Sequence, residues 1–277
     1  MTVHDKAMRE LLAFYREAGV DIAIGETPVD RLAEPAPQTA APQPPEAVRP
    51  PPARPATPVR TLTPRDLATN AAAAPPSPDA AVMAAREAAT TAATLDDLRA
   101  IVDRFEGCAL RATATQLVFG RGNPQARVMF VGEAPGYEED KSGLPFVGRS
   151  GQLLDRMLAA IWLDETNCYI ANIVPWRPPG NRTPTPQESA ICLPFIKRQI
   201  ELSGAEVLVC LGGPSAQTLL NIKDGITKSR GRWYTFQAGA RELRALATFH
   251  PAFLLRSPLQ KRLAWRDMLA LRKALAN

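Results

Sequence analysis

The pattern of apolar and polar positions becomes regular at about residue 82. From there, short apolar runs rich in β-branched residues alternate with segments that repeat apolar residues every three or four positions. The first pattern is typical of buried strands and the second of amphipathic helices. Since apolar strands that alternate with helices favour a parallel sheet covered on both faces, we predict a three-layer α/β/α sandwich around a small, mainly parallel four-stranded sheet.

The individual elements follow from this alternation. Two helices are expected before the first strand, the second with its N-cap near Thr94, and a long helix closes the chain. Ser150 is expected to cap the helix after the first strand, and Pro186 to lie in the first turn of the next helix. The predicted strands lie in ARVMFVGE, CYIANIVPW, AEVLVCLGG and the pair RWYTFQ and LRALATFH.

The chain before residue 82 has a different composition. Fourteen of the 27 prolines lie between Pro35 and Pro78, mixed with alanine, threonine and glutamine. Because this stretch has few large apolar residues to bury, we predict a disordered Pro/Ala-rich linker over 34–81. The helical spacing of apolar residues near the N-terminus predicts an amphipathic arm over residues 1–33. Two interpretations stay open for the arm: it packs back on the main domain, or it docks on another protein.

Composition and charge narrow the function only a little. The formal net charge is +5, which suits a polyanionic partner without demonstrating one. The sequence contains no run of about 20 apolar residues and no signal-peptide core, so we expect no membrane contact and a cytoplasmic location. The four cysteines form no CxxC pair and are expected to be buried free thiols. They are Cys108, Cys168, Cys192 and Cys210.

Unusual residues stand at three predicted strand ends, where parallel α/β folds bind ligands. Glu133 lies in the loop GEAPG, whose glycines allow close approach of the backbone. This loop matches neither GxGxxG nor a Walker loop, and a capping Glu in a tight turn is the alternative. Asn172 offers a donor beside an acceptor, which matches the N3–H and O4 edge of uracil, although a structural amide would look the same. His250 follows the last strand and could donate to a developing oxyanion, or serve a structural role.

Two loops complete the set of candidates. Phe146 lies between Pro145 and Val147, where it either covers the core or stacks on a flat base. After His250, the run PAFLLRSP carries apolar residues and Arg256, which together suit a wedge and a phosphate contact.

These segments resemble a known family. GEAPG, GLPFVG, NIV-W-RPPGNRTPTPQE and HPA, in this order, resemble the uracil-DNA glycosylase superfamily, and its type 4 branch in particular. The resemblance covers about residues 100–275. It implies a catalytic domain over 82–277 that flips uracil out of DNA and hydrolyses its N-glycosidic bond, the first step of base excision repair.

The resemblance also implies residue roles. Glu133 and His250 would be catalytic, while Gly132, Phe146, Asn172 and His250 would bind uracil. Classical relatives place Asp where this chain has Ala134, so Glu133 is a candidate for positioning the water rather than an established base. Contacts to DNA phosphates are expected from Arg177, Arg182 and Arg256, or the first two are simply solvated loop residues.

One departure from type 4 concerns the cofactor. That branch holds a four-iron, four-sulfur cluster through four cysteines, and here only Cys108 and Cys192 match. Phe105 and Trp176 occupy the other two ligand positions. Two thiolates do not make the four-cysteine site, so we predict no cofactor and hydrophobic packing in place of the cluster.

Partners and rival functions complete the expectations. The expected partner is uracil-containing DNA, and the protein is expected to be a monomer. A non-catalytic binder of DNA or damaged bases, and a glycosylase for other deaminated bases, are the alternatives.

Overall fold

The computed structural model describes residues 77–276. The predicted arm, residues 1–33, and the predicted linker as far as residue 76 lie outside the described residues. The described part opens with a helix that begins at Pro78, before the domain boundary predicted at residue 82. Ser77 caps this helix by accepting the backbone N–H of Ala80 at 3.3 Å, a local signal that the linker composition obscures.

The helices account for much of the described chain. They are α1 (Pro78–Thr91), α2 (Leu95–Arg104), α3 (Leu110–Thr113), α4 (Tyr137–Ser142), α5 (Arg149–Ala159), α6 (Pro186–Leu202), α7 (Gly213–Leu220), α8 (Ile226–Ser229), α9 (Pro251–Arg256) and α10 (Lys261–Leu275), with 3₁₀ turns at Pro179–Asn181 and Pro258–Gln260.

The strands form one sheet in the order β1-β3-β2-β4-β6-β5. They are β1 (Arg121–Gly122), β2 (Val128–Gly132), β3 (Tyr169–Asn172), β4 (Val207–Leu211), β5 (Trp233–Ala238) and β6 (Arg241–Thr248). The four central strands run parallel, while β1 and β5 pair antiparallel at the two edges. The mainly parallel α/β sandwich is confirmed, but the prediction of four strands is wrong, because the sheet has six.

The difference lies at the two edges: β1 is not among the predicted strands, and β5 is the predicted segment RWYTFQ added beside the four parallel strands. β1 has two half-buried residues, so it has no apolar run to reveal it. β5 alternates exposed and buried positions beside β6, as expected of a hairpin strand that covers one face only. In contrast, every residue of β2, β3 and β4 is buried.

The layers follow from the alternation of side chains along the central strands. Met129 and Val131 point into a core shared with α1, α2 and α6, whereas Val128 and Phe130 point into a core shared with α5 and α10. Helices therefore cover both faces, and the carboxyl ends of the strands remain open between them.

Helix starts agree with the predicted signals in two cases and differ in one. Thr94 and Thr185 each form a capping box, with Pro186 at the first position of α6. Ser150 is not a cap, because α5 begins at Arg149 with Gly148 as its N-cap. The 6-residue α4 and the equally short α9 have too few turns for a periodic signal.

The cysteines are free and buried, as predicted. Burial raises the pKa of the Cys168 and Cys210 thiols to about 12, so both remain protonated at neutral pH. None of the described helices is long and apolar enough to cross a membrane.

Candidate active site

A pocket of about 480 Å³ opens at the carboxyl ends of the central strands. Four predicted residues line it together: Glu133, Phe146, Asn172 and His250. They come from separate parts of the chain, and the parallel sheet brings their strand ends to one edge. The four residues that the sequence predicts for a ligand site thus line one pocket at this edge.

The end of β2 leaves no room for a side chain. A Cβ atom on Gly132 would collide with the Asn172 amide oxygen and with the Phe146 ring. Glycine at this position therefore lets the amide and the ring pack directly against the backbone of β2. Glu133 follows, half-buried, and burial raises the pKa of its carboxyl group above the usual value.

Phe146 is held in an unusual backbone conformation. Its φ is +57°, in the left-handed region that phenylalanine rarely adopts, and its side chain is 4% exposed. Its ring lies 5.5 Å from the His250 ring, measured between centroids, with a 32° tilt. A Cβ on Gly151 would overlap the Phe146 carbonyl, so this glycine lets α5 approach the loop.

Glu139 holds the loop of Phe146 against the loop of Glu133, and sequence reasoning missed it. Its buried carboxylate accepts backbone N–H groups from Gly136 at 3.1 Å, Val147 at 3.0 Å and Gly148 at 2.9 Å. The first contact is the return half of a capping box in which Gly136 stands at the N-cap. A glutamate three residues after a glycine cap was the available signal, but it does not reveal the two contacts across the loop.

Asn172 carries an unmet hydrogen-bonding capacity. The residue is 4% exposed, and its Oδ1 atom is buried without a hydrogen-bond partner among the described residues. A buried polar atom in this state costs free energy unless a ligand or water completes it. Since Asn172 also lines the pocket, its amide is placed to meet a polar ligand edge.

His250 is fixed as a neutral donor. Its Nδ1 atom accepts the backbone N–H of Ala252 at 3.1 Å and so caps α9. Burial, followed by the charge of Arg256, lowers the pKa of this imidazole to about 4. At neutral pH the single ring proton must therefore lie on Nε2, because Nδ1 serves as an acceptor.

The three predicted arginines have different surroundings. Arg182 and Arg256 line the pocket, while Arg177 does not. Arg182 forms a two-pronged pair with Glu188, at 2.6 and 2.8 Å. Arg256 is exposed and forms no ion pair within residues 77–276.

Arg177 lies behind the pocket wall and orients a residue that sequence reasoning missed. Its Nε donates to the Oδ1 of Asn181 at 2.6 Å, and its guanidinium lies 3.9 Å from Asp140 and 5.1 Å from the centroid of the Tyr137 ring. Asn181 lines the pocket with a φ of +56°. Loop asparagines are common in turns, so the sequence carries no specific signal for this one.

The residues at the cluster positions do not fit a four-iron, four-sulfur cluster. Cys108 and Cys192 are buried neighbours, and a hydrogen bond from Cys192 lowers the pKa of the Cys108 thiol. Phe105 packs edge-on against Phe195 at 4.9 Å between centroids, and Trp176 is fully buried. Within the described part of the chain, no group of three or more His, Cys, Asp or Glu side chains could hold a metal ion. Two thiols and two packed aromatic rings do not supply the four thiolates that such a cluster needs.

Comparisons with known proteins identify the family of the chain. The family model of the uracil DNA glycosylase superfamily matches residues 119–269. The chain is 40% identical over 169 residues to the type-4 uracil-DNA glycosylase of Archaeoglobus fulgidus. This alignment covers 60% of the present chain and 85% of the Archaeoglobus protein. It is 43% identical over 157 residues to the Thermotoga maritima enzyme of the same name, with 56% and 80% covered. The Sulfurisphaera tokodaii enzyme of that name is 36% identical over 185 residues, with 65% and 84% covered. The matched segment includes all four pocket residues that the sequence singled out, and the chain belongs to the uracil DNA glycosylase superfamily.

Proposed function

We propose that this protein is a uracil-DNA glycosylase, a monofunctional hydrolase that removes uracil from DNA and leaves an abasic site. The observation that carries the proposal is the unpartnered Asn172 amide oxygen, buried in a pocket beside Phe146 and a neutral His250. An amide, an aromatic face and a donor are what a flat base with several carbonyl groups requires. The type-4 relatives support the same conclusion.

Base recognition is assigned to the residues at the pocket floor. The flipped base stacks on Phe146, and the Asn172 amide accepts from N3–H and donates to O4. Cytosine presents the reverse pattern at this edge, so the amide selects uracil. Gly132 allows the base to approach the backbone because no side chain intervenes.

Bond cleavage is assigned to His250 and Glu133. As the N-glycosidic bond breaks, negative charge develops on uracil and positive charge on the sugar. Nε2–H of neutral His250 donates to the developing anion at O2, where a fixed donor stabilises the transition state. Nδ1 is anchored to the α9 backbone, so the donor needs no reorientation during the reaction.

The Glu133 carboxylate faces the pocket and is assigned to the sugar and water side of the reaction. In its ionised form it stabilises the sugar cation and positions the attacking water. Ala134 contributes no carboxylate of its own, which leaves Glu133 as the acid that the loop presents.

DNA contacts are assigned to the pocket rim. Arg256 is free to bind a phosphate of the strand that carries uracil. Arg182 is already paired with Glu188, so its contact to a phosphate is weaker. Arg177 acts mainly through Asn181 rather than through phosphate. We expect the enzyme to act as a monomer on uracil-containing DNA.

The proposal includes a catalytic domain without an iron-sulfur cluster. Packing of Phe105 and Trp176 around the Cys108 and Cys192 thiols supports it, because the apolar rings occupy the positions of two ligands. No step of the reaction assigned above passes through a metal ion.

Single-turnover cleavage of a labelled oligonucleotide with one uracil tests the proposal. Wild type should excise the uracil, so that alkali then breaks the strand at the abasic site. Asn172→Ala should lose at least about tenfold in excision rate, because the amide contacts disappear. Gln237→Ala removes an exposed amide on the edge strand β5 and serves as the matched control. A folded wild-type protein that leaves uracil in place would contradict the proposal.

A further inference from the structure

A second concave surface lies away from the active site, between α5 and α10. This groove encloses about 230 Å³, and Leu153, Met157, Leu254, Trp265 and Met268 form most of its floor. It shares no lining residue with the active-site pocket. α5 lines the pocket at its first turn, through Ser150, and lines the groove further along its length, as far as Ala160.

The lining residues follow a helical repeat on both sides. On α5 and its C-cap they recur at positions 153, 157 and 160, and on α10 at positions 261, 265 and 268. Each helix thus presents one ridge of side chains, and two such ridges with a groove between them are the surface on which a third helix packs.

Large apolar side chains near the groove remain in contact with water. Trp265 is 42% exposed and Leu269, one turn further along α10, is 41% exposed. Trp162, just after α5, is 68% exposed and has a φ of +61°, and the guanidinium of Arg272 lies 3.4 Å from its ring centroid. Several large apolar residues gathered on one exposed face mark an interaction surface rather than a random surface composition.

The charges around the groove have one sign. Arg156 and Lys261 line it, and no acidic side chain does. The acids of these two helices are engaged elsewhere: Asp155 pairs with Arg121 at 2.6 Å, and buried Asp267 pairs with Arg230.

Further cations on α10 extend this field. Arg262, Arg266 and Lys273 are exposed and form no ion pair within residues 77–276. A partner that fills the groove therefore meets an apolar floor and a cationic rim, and a partner with acidic flanks is favoured.

We propose that the groove between α5 and α10 is a docking site for an acidic amphipathic helix of a partner protein. Its apolar anchors enter between Met157 and Trp265, and its acidic flanks meet Arg156 and Lys261. A nucleic-acid strand fits less well, because Trp265 is the one aromatic residue among the described residues that line the groove, so successive bases would have no series of rings to stack on. The groove shares no lining residue with the uracil pocket, so disproof of the docking proposal would leave the proposed enzymatic function intact.

Binding of a designed peptide to the full-length protein tests the proposal. The probe is a fluorescent amphipathic helix with Leu and Trp at i, i+3, i+4 and i+7 and Glu on its flanks. Controls are a scrambled peptide of equal composition and a peptide with Lys in place of Glu. The intact protein should bind the probe at least roughly tenfold tighter than either control, and Trp265→Ala should weaken binding roughly tenfold.

Two control measurements show whether the effect of Trp265→Ala is specific to the groove. Met83 is 60% exposed on α1, on the opposite layer, so Met83→Ala should leave peptide affinity unchanged. Uracil excision by Trp265→Ala should equal that of wild type, since Trp265 lies outside the active-site pocket.

Three results would each overturn the proposal. Equal affinity for the probe and the scrambled peptide would remove the amphipathic helix as the occupant. Displacement of the probe by a uracil-free single-stranded oligonucleotide would make the groove a nucleic-acid surface. A photo-crosslinker at position 160, an exposed residue that lines the groove, that joins only to its own chain in the presence of the probe would show that the protein fills the groove itself.

Discussion

The half-buried His250 makes the stability of this protein depend on pH in a calculable way. Burial lowers the pKa of His250 from 6.5 to about 4. As pH falls below 6.5, the unfolded chain takes up a proton at this residue and the folded chain does not. The unfolded state is thereby favoured, so folded-state stability that is fully present above pH 6.5 is lost progressively towards pH 4.

The size of this effect follows from the two pKa values. A separation of roughly 2.5 units corresponds to about 3 kcal/mol in full, of which about 2 kcal/mol is already lost at pH 5. Other groups titrate over the same range, so a reference protein without this imidazole is needed. His250→Asn suits, because Asn does not titrate and can still accept the Ala252 N–H as an N-cap.

Urea unfolding of wild type and His250→Asn at pH 7.5 and pH 5 measures the effect. The wild type should lose about 2 kcal/mol more than the variant between these pH values. NMR offers a direct check, because the chain has only two histidines and His4→Gln identifies the other signal. Equal losses in both proteins, or a His250 signal that titrates near pH 6.5, would refute the neutral-donor assignment.

Substitutions in the active-site pocket and at the positions of the iron-sulfur ligands lead to further testable predictions. Glu139→Gln keeps the hydrogen bonds from Val147 and Gly148 but places an NH₂ group against the N–H of Gly136. The free energy of unfolding should therefore fall by about 2 kcal/mol, and the excision rate should fall with it. Lower stability with unchanged excision would leave Glu139 without a positioning role. Asn172→Asp should weaken selectivity for uracil over cytosine, and unchanged discrimination on paired substrates would exclude amide reading. Because its pKa is raised, Glu133 should protonate as pH falls and slow excision, and Glu133→Gln should be slow with no such pH limb in single-turnover profiles. Phe105→Cys combined with Trp176→Cys places a cysteine at all four ligand positions, and anaerobic reconstitution of this double variant should load about four irons with a broad visible absorption band. An iron-free double variant would count against the cluster geometry inferred from the sequence.

The site shows how a parallel sheet positions chemistry. Asn172 lies at the end of β3 beside the end of β2, and Gly132 leaves out the side chain that would keep Asn172 and Phe146 away from the β2 backbone. The carboxylate of Glu139 then ties the two loops above β2 together by accepting backbone hydrogens. Pocket shape thus depends on a residue that need not touch the base at all.

Much of the fold is encoded locally. β2, β3 and β4 are visible as apolar runs because both of their faces are buried, and this burial leaves no polar alternation. Capping boxes at Thr94 and Thr185 also mark helix starts in the sequence, because their hydrogen bonds span only three residues. The two-residue β1 has no such signal and is specified only by pairing with β3.

The same distinction applies to the site. Glu133, Asn172 and His250 are identifiable as candidates from the sequence, because unusual residues interrupt or follow apolar runs that are typical of buried strands. Two further roles become visible only in the folded chain: Glu139 joins the two loops, and Arg177 donates a hydrogen bond to Asn181. Those contacts join groups that approach one another only after the loops between the strands and helices fold. Their hydrogen-bond partners are set by three-dimensional proximity, which a one-dimensional pattern of apolar and polar residues does not contain.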